Sequence, residues 1–120
     1  MLKVIAVFLA LAWSLAAADV SGKWSGTTTA PGGETTGAFF EFKHSGAQLS
    51  GTAGPASDKQ WAIQKGKVDG KKLAFEVPMP NGAVMHFDLK VEDGRLEGEM
   101  WPERDGQKAE VSTISASRGA

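Results

Sequence analysis

Val20-Ser21-Gly22-Lys23-Trp24-Ser25-Gly26 reads as a first β-strand that carries a plug. An indole buries more area than any other side chain and keeps an N–H at its edge. Trp24 therefore suits the bottom of a closed β-structure. Side chains alternate along a strand, so Gly22 and Gly26 share the face of Trp24, where they leave room for the ring and let the backbone bend. Arg118, at the far end of the chain, is the candidate to lie across the indole face. The first and last strands would then be neighbours.

Outward from this opener the chain has the rhythm of a meander. Turn signals recur every eight to twelve residues or so, and no long stretch repeats apolar residues at helical spacing. Eight strands are expected: Val20–Thr28, Thr36–His44, Gln48–Gly54, Gln60–Val68, Lys72–Val77, Ala83–Glu92, Arg95–Trp101 and Lys108–Ser117. Asp69-Gly70, Asp93-Gly94 and Asp105-Gly106 are hairpin dipeptides, and Pro55–Lys59 reads as a loop. The fourth strand loses its alternation near Lys65-Gly66, where a bulge fits. Alternation turns Phe40, Phe42, Ile63, Leu73, Phe75, Phe87, Leu89, Leu96, Met100 and Val111 toward one interior. Sequential hairpins close most simply into an all-β, eight-stranded antiparallel up-and-down barrel, which removes exposed sheet edges. A two-sheet β-sandwich is the alternative.

Residues 1–18 stand apart from this pattern. Lys3, the apolar run Val4–Leu11 and Ala16-Ala17-Ala18 have the three-part form of a secretory signal peptide cleaved before Asp19. The expected protein is thus one β-barrel domain over residues 19–120, secreted or periplasmic. The chain contains 13 basic and 14 acidic side chains and no cysteine. With neither sign in a long run, a nucleic-acid partner and an anionic membrane surface are not expected. A small exported domain without disulfides must hold together by strand pairing and packing, which fits bacterial export.

The Gly22-Lys23-Trp24 opener with an Arg on the last strand resembles the closed-end signature of the calycin superfamily, which includes lipocalins and avidins. The chain from Asp19 onward also looks like a group of small secreted bacterial β-domains of unassigned function. Their marks are a Gly-x-Trp-x-Gly start, Asp-Gly-x-x-Leu turns and a Val-Pro-x-Pro-Asn-Gly hairpin, here Val77–Gly82. The resemblance implies a calycin-like barrel with Trp24 and Arg118 as structural closure. The polar residues and Trp pairs that would wrap biotin are missing, so neither avidin-like biotin binding nor a capacious lipocalin cavity is expected.

Two sets of residues bear on function. Phe39 and Trp101 sit opposite the core residues of their own strands, and the phase slip leaves Trp61 undecided. Such aromatics form a sugar-stacking platform or a protein contact, or are single surface aromatics of no special role. His86 and Asp88 share a strand face and His44 lies at a hairpin mouth. Two histidines without cysteine show no metal-ligand spacing, and a solvated strand face accounts for them. No nucleophile motif, phosphate loop or paired-carboxylate arrangement is present, so no catalytic residue, metal or cofactor is expected. The leading expectation is a secreted non-catalytic binding module for a small apolar ligand or an extracellular partner, with Phe39, Trp61, Trp101 and His86 as candidate contacts. The alternatives are a carbohydrate-binding module on Phe39, Trp61 and Trp101, and a hydrolase centred on His86 and Asp88.

Overall fold

The computed structural model describes residues 19–118, and the expected signal segment lies outside them. Ten strand segments are present and no helix among the described residues: β1 (Gly22–Thr29), β2 (Thr35–Ser45), β3 (Gln48–Ala56), β4 (Lys59–Ala62), β5 (Gln64–Asp69), β6 (Lys72–Pro78), β7 (Val84–Glu92), β8 (Arg95–Arg104), β9 (Gln107–Lys108) and β10 (Ser112–Arg118). All pair antiparallel in the order β10-β1-β2-β3-β5-β6-β7-β8, and β8 pairs again with β10. The ring is closed. β4 with β5, and β9 with β10, are each one interrupted strand, so the barrel is eight-stranded and up-and-down, as expected, and not a sandwich.

Closure rests on the two residues that the opener singles out. Trp24 is the Cα partner of Arg118 across β1–β10. The Arg118 guanidinium carbon stands 4.6 Å from the indole centroid, a cation–π geometry. Arg118 also donates to the carbonyls of Ser21 and Asp19, tying down the segment that precedes β1. The Trp24 indole N–H donates to the Val20 carbonyl at 3.0 Å, so the plug is buried with its polar edge satisfied. Asp19 accepts from the Ser21 amide, and hydrogen bonds from Ser21 hold its carboxyl below the usual carboxylate value.

The two flanking glycines have other roles than room for the ring. Gly22 has φ 122°, and a Cβ there would sit 3.2 Å from the Arg118 guanidinium. At Gly26 a Cβ would land 1.9 Å from the Ser115 carbonyl. The glycine thus lets β10 come close enough to pair.

Phe40, Phe42, Phe75 and Phe87 form a continuous aromatic core, with Phe75 and Phe87 stacked at 4.6 Å and Phe40 edge-on to Phe87 at 6.0 Å. Val20, Trp24, Leu73, Leu89 and Leu96 are sealed from solvent, each burial contributing about 1.5–3 kcal/mol. Eight of the ten residues expected inside are buried; Met100 is half-buried against the core.

Val111 is the correction. It lies before β10, and Ile114 and Ala116 are the buried residues of that strand. Between β9, where Glu103 pairs Lys108, and β10, where Met100 pairs Ser112, the chain gains one residue. A one-residue slip exchanges the two faces of a strand. The region 55–59 also differs from expectation: β3 runs through Pro55 to Ala56, and only Ser57-Asp58 make the turn. The bulge near Lys65-Gly66 is present. Lys65 takes φ 55°, and the β5–β6 register shifts between Gln64 and Lys67.

Candidate functional site

The end of the barrel opposite Trp24 is not filled. Beyond Trp24 the interior positions of β1 carry only the small residues Gly26 and Thr28, and buried Ala38 of β2 and Ala53 of β3 lie beside them. Small residues at one end of a barrel leave space that large ones at the other end occupy. The result is a cavity of ≈ 230 Å³ with Phe40 and Phe87 as its floor and Trp61, Met79, Met85 and Met100 around its rim. Its lining contains no Asp, Glu, Lys, Arg or His.

Among the described residues Thr28 is the one buried polar side chain, 8 % exposed. It shares the inward face of β1 with Trp24, pairs with Thr36 and Ile114, and lines the cavity. Among the described residues its hydroxyl has no hydrogen-bond partner. No buried side-chain polar atom among the described residues is left unsatisfied, so that hydroxyl keeps some exposed surface, and Thr28 borders the cavity.

The wall beside this cavity has a seam. β4 pairs with β3 on one side and with no strand on the other. Facing it is the end of β6, where Met79 donates its amide to Ala83 in the direction of β7. Successive amides point to opposite sides of a strand, so the nitrogen of Pro78 faces β4 and has no hydrogen to donate. Trp61 on β4 and Val77 and Met79 on the other side both line the cavity. The seam therefore runs directly alongside it.

The candidate contacts separate accordingly. Trp61 pairs with Ala53, faces inward and joins the rim, which resolves its ambiguous phase. Phe39 is on the outer face of β2, half-buried beside a groove that includes Lys23, Glu41 and Gln60. The Gln60 amide donates to the Phe39 and Ala56 carbonyls and its oxygen accepts from Thr52. Trp101 is outside on β8, stacked on His86 with centroids 5.7 Å apart and with Lys108 Nζ 4.2 Å above it. The strand rung through Phe39 reaches β8 at Arg95, six residues from Trp101. The three aromatics thus do not share one platform.

His86 and Asp88 point outward from β7 but do not engage one another. His86 hydrogen-bonds Glu103 and has Glu76 at 3.7 Å, and Glu76 in turn is 3.8 Å from Lys65 Nζ. This is a cross-strand polar cluster over the Trp101 ring, with no nucleophile in it. His44 is structural: its Nε2 meets the Gly46 carbonyl at 2.7 Å, and its backbone amide donates to Ser21 Oγ. No group of three metal-ligating side chains occurs among the described residues.

Met79 and Thr28 are the site residues that the sequence does not single out. Met79 lies in a Pro-Met-Pro turn, where alternation carries no information. Thr28 looks like any strand threonine until the missing neighbours around it are visible. The chain matches no protein-family model and no curated protein.

Proposed function

We propose that this is a calycin-like, non-catalytic binding module that takes a small apolar molecule into the open end of its barrel. The observation that supports this reading is the cavity between the Phe40–Phe87 floor and the Trp61–methionine rim. Binding sites of this kind are concave, mostly apolar and largely pre-formed. Engineered cavities of roughly 150 Å³ already admit benzene. Methionines suit such a rim because their unbranched, polarizable side chains adapt to a ligand and make favourable contacts with aromatic rings. Export to the periplasm or beyond, with residues 1–18 removed, belongs to the same proposal.

The experiment is a fluorescence titration with a neutral one-ring quencher such as nitrobenzene, read as saturable quenching. Among the described tryptophans only Trp61 lines the cavity, so quenching is expected in the full protein and is lost in Trp61→Phe. Quenching that survives in Trp61→Phe and disappears in Trp101→Phe would move the site to the outer face and overturn this reading.

A further inference from the structure

The lining of the cavity also selects among apolar molecules. Resting on the binding reading above, we infer that the ligand is an uncharged molecule about one aromatic ring in size, carrying a single hydroxyl that hydrogen-bonds Thr28. Three independent observations lead there.

The first is size. The ≈ 230 Å³ of the cavity exceeds the roughly 150 Å³ that holds benzene by little more than a short substituent. These walls enclose about one ring and a short substituent, and a long acyl chain or a fused polycycle would extend out of the open end.

The second is charge. With no ionisable side chain in the lining, a carboxylate or ammonium carried inside would lose its hydration and gain no counter-charge, which is strongly unfavourable. The titratable cluster Glu76–His86–Glu103 stands on the outer face of the sheet.

The third is the polar part of the lining: two side-chain hydroxyls border the cavity, those of Thr28 and Thr36, and of the two only Thr28 is buried. Thr28 is more than nine-tenths buried and its hydroxyl is free among the described residues. A hydroxyl both donates and accepts. An apolar ligand that covers this hydroxyl leaves it without a partner, which is costly, whereas a ligand hydroxyl in the same place keeps it paired. The surrounding Phe40, Phe87 and Trp61 rings with Met79, Met85 and Met100 match a planar aromatic body through sulfur–ring and ring–ring contacts.

The test compares three ligands of nearly equal size: 4-ethylphenol, ethylbenzene and 4-ethylbenzoate. Binding is followed at neutral pH by calorimetry and by the methyl NMR signals of Met79, Met85 and Met100. 4-Ethylphenol is expected to shift those signals, and 4-ethylbenzoate to bind at least roughly 100-fold more weakly. Thr28→Val, which keeps the shape and removes the hydroxyl, should weaken 4-ethylphenol roughly 5-fold and leave ethylbenzene unchanged, while Thr28→Ser restores the difference. Equal binding of the carboxylate, or an equal effect of Thr28→Val on both neutral ligands, overturns the ligand class and leaves the binding reading in place. If none of the three ligands moves the methionine signals, while a larger hydrophobic probe does, the size argument is overturned. If no probe moves them, the binding reading itself fails.

Discussion

Trp24 and Arg118 meet because three kinds of interaction converge on one ring: burial, a guanidinium over the indole face, and hydrogen bonds from both side chains to the carbonyls of residues 19–21. Truncating the ring leaves a cavity that the closed barrel cannot collapse around, because β1 is paired on both sides. Trp24→Ala is expected to destabilise by about 3–5 kcal/mol, seen as a lower urea midpoint. Since domains of this kind unfold at a total cost of about 5–15 kcal/mol, that loss is large. Asp19 makes a separate, pH-dependent contribution. Its carboxyl is held below the ordinary value of 3.8, first by the Ser21 amide, then by the Ser21 hydroxyl, with His44 and Arg118 adding attraction. A depressed folded-state pKa means that the contribution is fully present above the ordinary carboxylate range and is lost as pH falls through the lower folded value. Ser21→Ala should move the Asp19 carboxyl back toward 3.8, followed by its carbon NMR shift. An unchanged titration would show that the Ser21 hydroxyl has no part in holding it.

At the level of strands, the wall is least continuous where β4 faces the end of β6. Ile63 donates its amide to Gly51 on the β3 side at 3.0 Å, so by alternation the Ala62 amide points into the seam, where no strand pairs with it. Hydrogen exchange should therefore be faster at Ala62 than at Trp61 and Ile63, which share the β3 ladder. Equal protection along 61–63 would mean that β4 and β6 are zipped together. The same elements show what the sequence makes legible. Clean alternation in Leu73–Val77 and Met85–Val91 places those side chains correctly, and Asp-Gly turns locate their hairpins. The opener and Arg118 near the far end of the chain give closure, because an indole at the barrel bottom demands a partner. The last strand is legible only in part. The extra residue before Ser112 is unmarked by Gly or Pro, so the phase that turns Val111 inward is carried past a slip that reverses it. The cavity is not legible at all. Whether Thr28, Ala38 and Ala53 leave a void depends on how far the facing Met79, Met85 and Met100 reach, and flexible thioethers encode no fixed reach.

For the whole molecule, the proposed binding would draw on the same interior as stability. The chain has no cysteine, so packing and strand pairing must hold it together, yet one end of the core is left unfilled. A ligand that occupies that end of the folded state alone stabilises it by mass action, by about 2.7 kcal/mol at a concentration 100 times Kd. For a domain of this length, each kcal/mol raises Tm by about 4–8 °C. Saturating 4-ethylphenol is therefore expected to raise Tm by roughly 10–20 °C. Ala53 lies between Phe40 and Trp61 in the ladder and lines the cavity, so Ala53→Leu puts protein where ligand would sit. That variant should melt no lower than the parent without ligand, since new apolar contacts replace empty space, and should show no ligand-dependent rise. The two measurements separate filling from misfolding: a variant that melts as high as the parent and ignores the ligand has lost the cavity and kept the barrel. A variant with an intact melting point that still gains the full shift would place the ligand elsewhere on the molecule.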